Sequence, residues 1–121
     1  MAGIISDEEI EVWIQQMDDF NEKLSVASGK KAKLEELRKV LKSQLMIECE
    51  KEQIKKEKKA PSGQMQERYA YSDPRYIQLL NEIEAATASY SFYFNKLKFI
   101  EIKYNIWRSQ QATMRSEINM R

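Results

Sequence analysis

The sequence predicts an all-α protein: a long antiparallel helical hairpin, its first helix bent or broken near Gly29, that oligomerises through coiled-coil-like packing. Three observations carry this. Only 3 Gly and 2 Pro occur in 121 residues, against 32% charged and 42% hydrophobic residues, a balance typical of long helices and poor in turns. Apolar residues recur at steps of three and four in two long blocks, the spacing of a helix face. One short stretch rich in breakers, Ala60-Pro-Ser-Gly63, divides the blocks and marks the hairpin tip. The length suits one domain, so residues 1–121 are read as a single unit with helix one at about 7–58, a basic loop at about 59–72 and helix two at about 74–118.

Helix one announces itself at Ser6-Asp7-Glu8-Glu9, where Ser6 can accept from an early helix amide and Glu9 can bond back, as in a capping box. Trp13, Met17, Phe20, Leu24 and Ala27 then form a stripe that Leu34, Leu37, Leu41 and Leu45 resume after Lys31,. Gly29 lies inside this pattern and costs roughly 1 kcal/mol relative to alanine, so a bend is expected there. A full break is the alternative, and would give a monomeric three-helix bundle. Beyond Ile47 the stripe fades into Glu50–Lys59, which has mixed charges and little to bury, so this end should fray.

Helix two starts at Ser72-Asp73-Pro74, with Asp73 as the cap and Pro74 at the first helical position, where its missing donor is unneeded. Tyr76, Leu80, Ile83, Thr87, Tyr90, Phe94 and Leu97 step by four and three. After a one-residue slip, Ile100, Tyr104, Trp107, Gln111, Met114 and Ile118 continue,. A helix of about 45 residues spans roughly 65 Å, more than a compact globule of this mass accommodates. Phe92, Phe99, Ile102 and Ile106 occupy another flank, and one partner helix cannot cover two faces. Tyr90, Phe92, Phe94, Phe99, Ile102, Ile106 and Trp107 are therefore the expected oligomerisation surface, meeting a second copy of the chain.

Chemistry is not expected. The chain has no His and one Cys, so it lacks the usual general base, the commonest metal ligand and any intramolecular disulfide. Cys49 fits a reducing cytoplasm. Carboxylate neighbours such as Glu35/Glu36 and Glu82/Glu84 face different directions on a helix. No phosphate-cradling glycine loop or Ser/His/Asp set is present, so the reading is a non-enzyme with no cofactor and no metal. Met1–Ile5 has neither the basic start nor the apolar run of a signal peptide, so no export is expected. No run of 18 apolar residues suggests a membrane span, and a soluble protein with no membrane partner is expected.

Net charge is only +1, but residues 1–22 carry the acids Asp7, Glu8, Glu9, Glu11, Asp18, Asp19 and Glu22 and no base. Residues 23–59 hold twelve Lys/Arg against six Glu, and residues 60–121 eight against six acids. The acidic start complements the helix dipole. It could also mimic nucleic acid or dock on a basic partner. A second basic group, Lys30, Lys31, Lys33, Arg38, Lys39 and Lys42, spreads around helix one and reads as a solubilising surface.

The loop is more specific. Lys51, Lys55, Lys56, Lys58 and Lys59 precede the break, and Arg68, Tyr69, Tyr71, Arg75 and Tyr76 follow it. Cations track phosphates while flat rings stack on unpaired bases, so the pattern suits single-stranded nucleic acid without sequence readout. The bland alternative is a solvated Lys/Glu helix end with tyrosines packed beneath the loop. An oligomer would place several such patches side by side and multiply their effect.

In Lys31-Ala-Lys-Leu-Glu-Glu-Leu-Arg-Lys39, in Glu67-Arg-Tyr-Ala-Tyr71 with Tyr76 following, and in Trp107-Arg-Ser-Gln-Gln-Ala112, the chain resembles the UvsY-type recombination mediators of tailed bacteriophages. The likeness covers roughly residues 20 to 110 and rests on helix layout, basic loop and aromatic second helix. It implies a ring-like helical oligomer in the host cell cytoplasm that binds single-stranded DNA and helps load a recombinase against single-strand-binding protein, these two proteins being implied partners. It would make Lys55, Lys56, Lys58, Lys59 and Arg68 the DNA contacts and the Tyr90–Trp107 flank the assembly surface. The acidic N-terminal segment and the modest net charge depart from that family. The rival reading is a structural or adaptor protein, an assembly factor or prefoldin-like hairpin. A third is a phage inhibitor directed at a host target through its acidic N-terminus.

Overall fold

A computed structural model describes residues 5–120. Residues 1–4, where the reading on export begins, lie outside the described residues. Those described are all-helical, with no strand: α1 is Asp7–Glu57, α2 is Gly63–Ser72 and α3 is Pro74–Asn119. Among them, no helix is long and apolar enough to cross a membrane.

The start of α1 follows its sequence signal: the Glu9 amide donates to Ser6 Oγ at 3.2 Å, and Asp7, Glu8 and Glu9 put negative charge on the first turn, where the helix dipole favours it. The helix runs unbroken through Gly29, so the break and the three-helix bundle built on it do not occur. A single glycine penalty of roughly 1 kcal/mol is small beside the apolar stripe that continues on both sides of it. A Cβ at Gly29 would meet nothing within 4 Å.

The far end of α1 is held by a residue in an unfavourable conformation. Lys58 has φ 55°, and its amide donates to the Ile54 carbonyl at 3.0 Å. A left-handed non-glycine residue costs roughly 1–2 kcal/mol, whereas introducing glycine loosens the unfolded chain by about 0.4–1 kcal/mol. Lys58→Gly is therefore expected to raise stability by roughly 0.5–1 kcal/mol, seen as a higher urea midpoint, with a β-branched Lys58→Val doing the reverse.

The segment expected to be a basic loop at 59–72 is a loop only in its first part, since α2 fills 63–72. Ser62 is its cap, extended at φ −67° and ψ 158°, and accepts from the Met65 amide at 3.2 Å. Gly63 at the first helical position and the nearby Pro61 hid this short helix in the sequence. It ends where Ser72 Oγ donates to the Arg68 carbonyl at 2.9 Å. Asp73 then starts α3, accepting from the Arg75 amide on Oδ1 at 2.8 Å.

The chain divides into two compact units, Met1–Val26 with Tyr90–Arg121, and Ala27–Ser89. In the second, Leu34, Leu79 and Ala86 form one buried cluster, with Leu41 and Ile83 packed against it. Leu45, Ala70 and Tyr76 form another, with Leu41, Met46 and Tyr69. Ala70 and Leu45 are wholly buried, so α2 contributes to the core rather than lying on it. In the first unit Ile10 and Ile100 are buried, and the Phe20 and Tyr93 rings lie 6.3 Å apart.

The buried register of α3 differs from the expected one. Residues 76, 79, 83, 86, 90, 93, 97, 100, 104, 107 and 111 are buried or half-buried. They step by three and four with no slip, while Leu80 and Phe94 are exposed. The expected stripe departs from the real one at its first step, where it takes Leu80 in place of Leu79. It then takes Phe94 in place of Tyr93, and needs a slip to recover. On α1, Leu37 is exposed and the half-buried seam positions go to Lys31 and Arg38, whose aliphatic stems can cover apolar surface. Arg38 Nη2 pairs with Glu35 at 3.0 Å.

Candidate nucleic-acid interface

Lys51, Lys55 and Lys56 stand on the last turns of α1, Lys58 and Lys59 on the link that follows, and Arg68 on α2. All six are exposed. Among the described residues none of them forms an ion pair, whereas Arg38, Lys39, Lys42 and Arg75 each hold a carboxylate. Glu50, Glu52, Glu57 and Glu67 neighbour the six in sequence without pairing with them. The six meet water and mobile anions, the condition under which a phosphate chain can displace counterions.

The tyrosines divide. Tyr69 is half-buried against the Leu45–Ala70–Tyr76 cluster, and its hydroxyl is pushed above the usual tyrosine value, first by burial and then by Glu52, Glu48 and Asp73. It is a packing residue. Tyr71 is exposed, its ring centroid 5.4 Å from that of Tyr76. Lys42 Nζ sits 5.0 Å from the Tyr71 centroid and 3.7 Å from Glu67. Hydrogen bonding to Tyr71, more than the neighbouring charges, raises the Lys42 ammonium above its ordinary value. Of the predicted rings, Tyr71 is the exposed one.

Arg75 is committed elsewhere. Its Nη2 lies 2.8 Å from Glu48 Oε2 and 3.1 Å from Asp73 Oδ2, and its Nε donates to Asp73 Oδ1 at 3.0 Å. The guanidinium thus ties α1 to the first turn of α3, and its pKa is raised by the Asp73 and Glu48 hydrogen bonds. Asp73 is correspondingly held below the usual carboxylate value, mainly by its bonds to Arg75. A depressed acid stabilises the fold above the ordinary aspartate range and loses that contribution as pH falls through its folded value.

Phe92, Phe94, Phe99, Ile102 and Ile106 are all exposed on α3, whereas Tyr90 and Trp107 are half-buried in its seam. Sequence reading takes the lysines among them only as interruptions of the apolar stretch. Lys96 lies 5.6 Å from the Phe92 centroid, Lys98 5.0 Å from Phe94, and Lys103 4.7 Å from Phe99 and 5.6 Å from Trp13. Each within-helix pair is spaced i, i+4, a spacing that places side chains together and was visible in the sequence. Glu48 and Glu67, the partners of Arg75 and Lys42, were also missed, because both pairs link residues distant in sequence.

Comparison of the chain with protein-family models, with curated proteins and with solved structures gives no match.

Proposed function

We propose that the chain binds single-stranded DNA, without reading its sequence, at the end of its second unit, and serves phage recombination as a mediator or accessory protein that helps load a recombinase. The observation that carries this reading is the group Lys51, Lys55, Lys56, Lys58, Lys59 and Arg68, exposed and without an ion-pair partner among the described residues, with the exposed Tyr71 ring three residues beyond Arg68 on α2. The cations supply a salt-dependent phosphate contact and the ring a stacking surface worth about 1–3 kcal/mol per base. In this reading the long helices run antiparallel within each unit. The order of packing along the helices supports that: Leu34 clusters with Leu79 and Ala86, but Leu45, later on α1, clusters with the earlier Tyr76. The chain also assembles with its own copies through the exposed apolar flank of α3.

Lysine footprinting tests the site. Acetylation read by mass spectrometry, with and without an oligothymidine, is expected to show protection at Lys51, Lys55, Lys56, Lys58 and Lys59. Protection confined to other lysines would remove the assignment. A structural or adaptor role is the second reading, favoured by the exposed Phe92, Phe99, Ile102 and Ile106. It predicts a protein partner and indifference to the oligonucleotide.

A further inference from the structure

We infer that copies of the chain join head to tail, the exposed α3 face of one copy's first unit seating in an α1/α3 groove on the second unit of the next. The inference rests on the reading that the chain self-assembles, and adds which surfaces meet. Two surfaces carry it. Phe92, Phe99, Ile102 and Ile106 are spaced by seven, three and four, which aligns them as a coiled-coil stripe, and each is more than half exposed. Within the second unit, Leu37, Val40 and Leu41 of α1 and Pro74 and Leu79 of α3 line an open groove, in which Leu37 and Val40 are also exposed. An amphipathic helix in an apolar groove is a recurring recognition mode.

Charge selects the pairing. The α3 stripe is flanked by Lys96, Lys98 and Lys103, which lie over aromatic rings and form no ion pair with a described residue. Packing this stripe against itself across a two-fold axis would set three lysines of one copy against three of the other, a like-charge juxtaposition that disfavours association. The groove offers a free carboxylate instead. Glu82 lines it without an ion-pair partner among the described residues, and Arg75 on its wall is outweighed by its two carboxylate partners, Glu48 and Asp73. A contact between two different faces of the same chain is heterologous and, repeated, closes into a ring or extends into a filament.

The test uses two substitutions at exposed positions, Val40→Asp in the groove and Phe99→Asp on the stripe, with helicity and melting temperature measured to show that each variant folds. Sedimentation velocity without DNA is expected to show the unmodified chain as oligomers larger than dimers. Each variant alone should weaken association by roughly thirtyfold or more, the scale of an interface hot spot. Mixing the variants one to one should give a heterodimer and nothing larger, because one intact groove still meets one intact stripe. Dispersal by Phe99→Asp with wild-type assembly in Val40→Asp would overturn the head-to-tail pairing while leaving self-assembly standing. A monomeric unmodified chain would overturn both.

Discussion

Replacing Leu45 with alanine is expected to lower the free energy of unfolding by about 3 kcal/mol, within the range for large-to-small changes at buried leucines. Leu45 is the only large side chain that is wholly buried among the described residues. It joins α1 to Ala70 of α2 and Tyr76 of α3, so truncating it leaves a cavity at the point where all three helices meet. Ile47, two residues later and exposed, is the control. Ile47→Ala should cost less than about 1 kcal/mol, as surface changes usually do. Urea unfolding of both variants at one fixed protein concentration measures the difference, the concentration mattering because assembly adds to apparent stability. Equal destabilisation at the two positions would contradict the register of the core.

Reversing Lys55, Lys56, Lys58 and Lys59 to glutamate is expected to reduce affinity for single-stranded DNA by about a hundredfold or more at low salt, and to flatten the salt dependence by about 0.7 in log–log slope for each phosphate no longer neutralised. All four side chains are exposed, and none forms an ion pair with a described residue, so the change removes no carboxylate partner from the fold. Oligomeric state should be unchanged. Arg75→Ala makes the opposite case. Its guanidinium is already shared between Glu48 and Asp73, so its removal should alter DNA affinity far less, and stability by no more than the roughly 0–1 kcal/mol of an exposed ion pair. Anisotropy titrations of both variants against one oligonucleotide separate the two roles.

Most of the helical architecture was legible because it rests on local signals. The Ser6 and Asp73 caps, Pro74 at the start of α3 and the three-four spacing of apolar residues are each readable from a few neighbouring residues, and both long helices begin where those signals stand. What escaped depended on size or distance. The ten-residue α2 carries too short a pattern to separate from a loop, and Gly63 argued against it. The seam register of α3 was misread because Leu79 and Leu80 are identical in kind, and only packing decides which of two adjacent leucines faces inward. Arg38 and Lys31 occupy seam positions on the strength of their aliphatic stems, a use that a polar-or-apolar reading hides.

At the candidate interface the same division holds. The lysine run was plain from composition, and its exposure follows from its having nothing to bury. Composition could not tell Tyr69 from Tyr71, two residues apart on α2, of which the first packs on Leu45 and the second lies open beside Lys42. Nor could it show that Arg75 is engaged by a glutamate 27 positions earlier.

Fluorescence anisotropy of a labelled oligothymidine, compared with a duplex of equal length and titrated with the unmodified protein at several salt concentrations, bears most directly on the proposed role. Binding that prefers the single strand, and weakens with salt at a log–log slope of about −0.7 for each phosphate neutralised, is the predicted result. No binding to either oligonucleotide at low salt would contradict it.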